Sequence, residues 1–68
     1  MTDKNITTAD IVKEIQREIN MRKRVFPTWV LQGRIKQEVA DKRIKIMEMV
    51  LEDYQKKLAS EDKQATFL

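Results

Sequence analysis

The fold is decided by residues 39–58, which read VADKRIKIMEMVLEDYQKKL. Apolar residues recur in this stretch at alternating intervals of four and three, which is a heptad seam and predicts a long amphipathic helix. The heptad seam consists of Ala40, Ile44, Met47, Leu51, Tyr54 and Leu58. A second apolar row lies beside it and contains Val39, Ile46 and Val50, so that apolar residues cover roughly half of the helix surface. A helix this apolar needs cover from more than one side, which predicts packing against both a second helix and a protein partner.

The size and composition of the chain limit how it can be stabilised. Its 68 residues make one small domain, and domains of this size usually need a disulfide, a metal ion or oligomerisation. The sequence contains no Cys and no His, which excludes disulfides and zinc sites of the Cys/His kind. We therefore expect a homo-oligomer, most simply a dimer, with no cofactor and no bound metal.

Charge and hydropathy narrow the class of protein further. The net charge is +3, and the basic excess lies in the first half of the chain, mainly in Arg22-Lys23-Arg24. This bias is far weaker than that of a dedicated nucleic-acid-binding protein. The apolar runs are too short to span a membrane, and the N-terminus lacks the apolar region of a secretion signal. These features predict a cytoplasmic protein without membrane contact.

Capping signals place the first helix at residues 7–24. Thr7 and Asp10 have the spacing of a capping box, in which each side chain accepts a hydrogen bond from the backbone of the other residue. Apolar residues at helical spacing, including Ile15 and Ile19, then form a stripe along one face.

A compact corner is expected after this helix. The residue before a proline avoids helical backbone angles, which predicts a break at Phe26 and Pro27. Residues 27–32 are expected to form a short helical turn that Gly33 ends in the left-handed conformation. Because Trp29 and Phe26 supply most of the aromatic surface of the chain, the corner is expected to be packed rather than flexible.

The last helix is predicted over residues 35–59. Its start is poorly signalled, because Lys36 stands where a capping Ser or Thr would help. This helix is expected to be longer than the first, which leaves Tyr54 and Leu58 without a partner in the same chain. The predicted organisation is therefore an N-terminal extension, a single helical hairpin domain and a flexible C-terminal tail, at residues 1–6, 7–59 and 60–68.

The expected fold is all-α, an antiparallel helical hairpin with a compact Pro/Gly corner. Its core is predicted to join the stripe of the first helix to the heptad seam, through Val12, Ile15 and Ile19 on one side and Ile44, Met47 and Leu51 on the other. Two hairpins are expected to pair into a dimer that resembles a four-helix bundle. The predicted self-association interface consists of Val39, Ile46, Val50, Tyr54 and Leu58.

Residues 17–27 of the chain carry the pattern Arg-Glu-x-x-Met-Arg-x-Arg-Val-aromatic-Pro, which is followed by Gly33-Arg34 and Ala40-Asp41. In this pattern the central part of the chain resembles a group of small phage and prophage proteins. The resemblance implies a phage or prophage origin and a bacterial host cytoplasm as the location, and it implies no particular activity. The chain departs from the pattern at Lys36 and Val39, where the group often has a capping box.

Two arginines lie within or beside the apolar stripes. Arg22 follows Ile19 on the first helix, and Arg43 lies between the two apolar rows of the last helix. An unpaired buried guanidinium is very costly, so each needs a carboxylate, backbone carbonyls or a route to water. We expect both to tie the corner to the helices; the alternative is a contact with an anion or phosphate.

A nucleic-acid contact is the main functional alternative. Basic residues are expected to gather where the first helix ends, beside aromatic rings on which a base could stack. The residues of this basic cluster are Arg17, Arg22, Lys23, Arg24 and Arg34. A structural explanation is favoured, because basic residues suit helix C-termini and the aromatic residues suit the core.

Catalysis is not expected. Without His or Cys, acid–base or nucleophilic chemistry would fall to Asp, Glu or Lys, whose spacing is typical of a solvated helix face. The sequence therefore favours a non-catalytic phage or prophage accessory protein that acts as a small self-associating protein-interaction module, with a host protein as a further partner. The alternative is a nucleic-acid-binding accessory protein that uses the basic end at Arg22–Arg24.

Overall fold

The structure is a computed structural model that describes the backbone of residues 5–66 and the side chains of residues 5–61. In this part of the chain, two helices pack against each other, α1 (Thr8–Leu31) and α2 (Gln37–Thr66). They form an antiparallel hairpin, and the predicted all-α hairpin is thereby confirmed. Residues 1–4 of the predicted extension and residues 67–68 of the predicted tail lie outside the described residues.

The start of α1 is fixed by the predicted capping box. The Thr7 hydroxyl accepts a hydrogen bond from the Asp10 backbone N–H, and the Asp10 carboxylate accepts one from the Thr7 backbone N–H, both at 3.1 Å. These bonds satisfy two backbone donors that a helix N-terminus otherwise leaves unpaired. The pKa of Asp10 lies below its usual value, first because the Thr7 backbone N–H donates to the Asp10 carboxylate and then because the Thr7 side chain also favours the ionised carboxylate.

We expect acid to weaken this helix start. Because the pKa of Asp10 is depressed in the folded chain, its contribution to stability is fully present above the usual pKa of 3.8 and is lost as the pH falls through the lower folded value. Urea unfolding followed by circular dichroism at pH 7 and at pH 2 measures this. D10N should be less stable than the wild type at pH 7, and the difference should shrink at pH 2. An equal difference at both pH values would contradict the expectation.

α1 continues through Pro27, so the predicted break at this residue is wrong. An interior proline lacks an N–H and its ring conflicts with the carbonyl four residues earlier, which costs about 3 kcal/mol. The uninterrupted helix keeps Phe26 on the same face as Ile19, two turns away, and both side chains are buried. Burying one large apolar side chain is worth about 1.5–3 kcal/mol, and Phe26 also packs against Trp29 with ring centroids 5.5 Å apart. Tertiary burial thus offsets the local cost of the proline.

A Schellman motif ends α1 and begins the connection to α2. The Gly33 N–H donates to the Val30 carbonyl at 3.0 Å, and the Arg34 N–H donates to the Trp29 carbonyl at 2.9 Å. Gly33 has a φ of 72°, in the left-handed region that other residues avoid, so its predicted conformation is confirmed. The Arg34 guanidinium lies 5.2 Å from the centre of the Trp29 ring, where this motif usually has an apolar contact.

α2 begins at Gln37, two residues later than predicted. The Lys36 carbonyl accepts hydrogen bonds from the N–H groups of Val39 and Ala40, at 3.1 and 3.0 Å. Lys36 therefore occupies the position before the first helical turn, and its side chain has no oxygen with which to cap the helix.

α2 also continues beyond its predicted end at Ala59 and reaches Thr66. Residues 60–66, expected to belong to a flexible tail, are thus helical. The N-terminus of α1 lies beside this last part of α2, since the Thr8 hydroxyl donates to the Glu61 carboxylate at 2.7 Å. The two helices accordingly run side by side from the turn to the open end of the hairpin, where the capping box of α1 lies beside Glu61.

The core of the hairpin is narrow. Among the residues whose side chains are described, the fully buried apolar ones are Ile19, Phe26 and Ala40. The other heptad-seam residues of α2 are half-buried, as are Val12 and Ile15 of α1. The heptad seam therefore faces α1 as predicted, and Ala40 is its one fully buried member among the described residues.

Candidate interaction surface

The basic cluster does not form at a helix end. Because α1 extends to Leu31, four of its members lie in the middle of the helix, and the last turn of α1 contains no basic residue. These four are Arg17, Arg22, Lys23 and Arg24. The expected structural explanation, attraction of basic residues to a helix C-terminus, is wrong for the same reason.

Arg22 joins the two helices. Its Nε donates to Glu18 Oε1 at 3.0 Å, and its Nη1 donates to the backbone carbonyl of Arg43 on α2 at 3.3 Å. Its guanidinium also lies 6.0 Å from the centre of the Phe26 ring. The backbone carbonyl belongs to α2 and not to the turn, so Arg22 ties the two helices to each other and does not tie the corner to the helices as expected.

The other members of the basic cluster are dispersed. Lys23 Nζ forms an ion pair with Glu48 Oε2 on α2 at 3.4 Å, and Arg34 lies over Trp29 in the turn. Arg17 and Arg24 line a shallow depression along α1 whose walls also include Glu14 and Glu18. Carboxylates therefore accompany the basic residues on α1. This arrangement lowers the local positive potential that a phosphate backbone would need.

The residues of the predicted structural corner do not all lie together. Phe26 and Pro27 belong to α1, whereas Gly33 lies in the turn and Trp29 is linked to the turn through Arg34. Arg43 is an exposed residue in the second turn of α2. Its contact with α1 is made by its backbone carbonyl, so the structure does not place its side chain in a corner.

The second apolar row of α2 remains accessible. Val39 is 37% exposed and Ile46 is 48% exposed, while Val50 is half-buried. Tyr54 and Leu58 were expected to project beyond the first helix. Both are half-buried, because the first turn of α1 lies beside Glu61, further along α2 than either residue. The overhang is therefore wrong, and within the predicted self-association interface the exposed residues are Val39 and Ile46.

A further row on α1, which was not predicted from the sequence, complements this surface. We define the outer seam of α1 as a heptad row at intervals of four and three, formed by Ile11, Ile15, Glu18, Arg22, Val25 and Trp29. All its members are half-buried. The outer seam of α2 has the same intervals and consists of Val39, Arg43, Ile46, Val50, Asp53 and Lys57. The signal for the α1 seam was present in the sequence, but the break predicted at Pro27 cut it short.

The two outer seams lie on the same face of the hairpin. At about 100° per residue, each outer seam is roughly a quarter turn away from the stripe that faces the other helix. The hydrogen bond from Arg22 to the Arg43 carbonyl connects the two seams directly, whereas the ion pair of Lys23 with Glu48 lies on the opposite face. Together the seams form one surface, which we call the outer face.

Comparison of the chain with protein-family models, with curated proteins and with solved structures finds no match. The resemblance to small phage and prophage proteins therefore stays a prediction. Neither helix, over the described residues, is long and apolar enough to cross a membrane. Between residues 5 and 61, acidic side chains do not gather in a group of three or more that could hold a metal ion.

Proposed function

We propose that this chain is a non-catalytic, self-associating helical module that acts through protein–protein contacts. The observation that supports this proposal is the outer face, on which Val39 and Ile46 are exposed beside half-buried Val25 and Trp29. Apolar side chains that line one face of a two-helix hairpin are stabilised when a second pair of helices covers them. A second copy of the chain is the partner that such a face fits most simply.

The shape of the chain supports the same proposal. Its radius of gyration is 15.6 Å, whereas a compact domain of this length has one of about 11 Å. Its accessible surface is 5940 Å², against roughly 4,500 Å² for a compact monomer of the same mass. A hairpin this open has surface available for association.

The proposal extends to origin and further partners. The resemblance at residues 17–27 favours a phage or prophage accessory protein that works in the host cytoplasm, and a host protein would be its further partner. Nucleic-acid binding through Arg22–Arg24 remains the alternative. It is less favoured, because Arg22 and Lys23 are paired with Glu18 and Glu48.

Replacing Val39 and Ile46 together by glutamine is expected to weaken self-association. Each side chain still has up to half of its surface to bury, so the two substitutions should cost about 2 kcal/mol per copy and about 4 kcal/mol per dimer, which raises the dimer dissociation constant roughly several hundredfold. Light scattering and sedimentation across a concentration series measure this constant. Glutamine favours helices, so the double variant should keep its helical content.

The matched control is Met49→Gln. Met49 is 60% exposed on α2 but lies outside both outer seams, so this change should leave the dissociation constant within about threefold of the wild type. A wild-type chain that is monomeric and folded at micromolar concentration would refute the proposal. So would a double variant that pairs as tightly as the M49Q control.

A further inference from the structure

We infer that a second copy of the chain packs on the outer face in the antiparallel direction. The two-fold axis crosses the hairpin within this face, at the level of Asn20 of α1 and Glu48 of α2. This inference rests on the proposed self-association and adds its direction and register. It follows from a symmetry of the two outer seams, which involves their charged residues as well as their apolar ones.

The outer seam of α1 is self-complementary when it is reversed. In an antiparallel pair centred on Asn20, each residue of this seam faces its mirror position on the second copy. Ile11 then faces Trp29, Ile15 faces Val25, and Glu18 faces Arg22. Apolar residues meet apolar residues, and the two central charges meet charges of opposite sign. Such a pairing brings together two copies of a charged pair that is already formed within each chain.

The outer seam of α2 has the same property. Its reversal around Glu48 brings Ile46 opposite Val50 at the centre and Arg43 opposite Asp53 on either side. At the ends, Val39 faces Lys57, whose aliphatic stem can cover a valine while its ammonium stays in water. Every charged residue of this seam thus meets an opposite charge or keeps access to solvent.

The two centres of symmetry lie at the same level of the hairpin. Three contacts fix the register of α1 against α2: Thr8 with Glu61, Arg22 with Arg43, and Lys23 with Glu48. This register places Asn20 beside Glu48 to within one helical turn. A single two-fold axis can satisfy both seams only if their centres coincide, and the hairpin meets this condition.

In the alternative, parallel arrangement of the two copies, the residues of the outer seams complement each other poorly. A two-fold axis along the helices would put the α1 seam of one copy against the α2 seam of the other at the same level. Arg22 would then lie between Ile46 and Arg43 of the second copy, and Glu18 would face Val50. A buried charge opposite an apolar residue or a like charge is strongly unfavourable, so the antiparallel arrangement is preferred.

The central charged pair retains bonding capacity for the second copy. In the described part of the chain, Arg22 uses Nε and Nη1, and Glu18 uses Oε1. A guanidinium carries several further N–H donors and a carboxylate has a second oxygen. The two Glu18–Arg22 pairs can therefore join across the axis into a cluster of four alternating charges.

Charge reversal with mixing tests this arrangement. E18K and R22E should each dissociate at least about tenfold more readily than the wild type, because like charges then meet across the axis. An equimolar mixture of the two variants should form heterodimers with a dissociation constant near the wild-type value, since every contact across the axis again joins opposite charges. Each variant keeps its defect within the chain when it is mixed, so any recovery reports the contact between copies.

The outcomes separate this inference from the proposed function. A wild-type chain that stays monomeric overturns the proposed self-association. A dimeric wild type whose folded charge variants are not restored by mixing overturns the antiparallel arrangement alone. Analytical ultracentrifugation measures the dissociation constants, and circular dichroism confirms folding.

A second measurement applies if either charge variant fails to fold. Arg43 and Asp53 are both exposed, and the chain has no native Cys, so R43C and D53C give single reactive thiols. Facing helices lie about 8–10 Å apart, within reach of a short bismaleimide. The mixture of R43C and D53C should cross-link several-fold more efficiently than either variant alone. Equal cross-linking in all three samples would overturn the antiparallel arrangement.

Discussion

Replacing Ile19 by alanine is expected to remove most of the stability of the hairpin. Ile19 is 2% exposed and is the least exposed of the large side chains that are described. Such a change in a core costs about 2–5 kcal/mol, because it loses apolar burial and leaves a cavity. A chain of this length has a free energy of unfolding of only about 3–10 kcal/mol. Since Phe26 and Ala40 are its few fully buried companions, the hairpin has little other core with which to compensate.

Urea unfolding followed by circular dichroism tests this expectation. With a slope of about 1 kcal/mol per M, a loss of this size lowers the midpoint by about 2 M or more. All samples need the same chain concentration, because association would add to the apparent stability. Met21→Ala is the control, since Met21 lies on the same helix with an exposed side chain and should cost less than about 0.5 kcal/mol. Equal midpoints for the two variants would show that Ile19 does not anchor the core.

Local signals in the sequence were sufficient for several features. The capping box at Thr7 and Asp10 and the left-handed Gly33 depend on residues next to each other in the chain, and both were predicted correctly. The heptad seam of α2 was also predicted, because its apolar residues repeat without interruption. Such features require no knowledge of which distant residues meet.

The continuation of α1 through Pro27 could not be predicted from local rules. A proline normally ends or bends a helix, and that rule ignores what the helix gains beyond it. Here the gain is the burial of Phe26 on the face that carries Ile19, together with its contact with Trp29. The spacing of seven residues between Ile19 and Phe26 was a signal in the sequence. The burial of both side chains outweighs the cost of the proline only when α2 is present to cover them.

The candidate surface was predicted on one helix and missed on the other. Val39 and Ile46 were predicted to be interface residues because a row of apolar residues beside the seam is not expected on a solvent-exposed helix face. On α1, Glu18 and Arg22 interrupt the outer seam, so the row does not look like an interface. Their role becomes visible only when the hydrogen bond from Arg22 to α2 shows that they lie on the same face as the exposed apolar row.

Replacing Ala40 by leucine is the second change with a large expected effect. Ala40 is 1% exposed, so neighbouring atoms enclose its methyl group almost completely. A leucine adds side-chain volume at a position with little free space, and overpacking of a core typically costs about 1–3 kcal/mol or more. For a chain of this size, each kcal/mol lowers the melting temperature by about 4–8 °C. We therefore expect A40L to melt roughly 10–20 °C below the wild type.

Ala59→Leu supplies the matched comparison, because Ala59 lies on the same helix and is exposed. Alanine and leucine have similar helix propensities, so A59L should melt within a few degrees of the wild type and any larger effect of A40L comes from packing. The distinction matters for the proposed dimer as well. Forcing α1 and α2 apart would shift the outer seams relative to each other, so A40L should also weaken self-association at temperatures where it is still folded. If A40L proved as stable as A59L and paired as tightly, the two helices would not be in close contact at Ala40, and the packing that aligns the outer seams would have to be rejected.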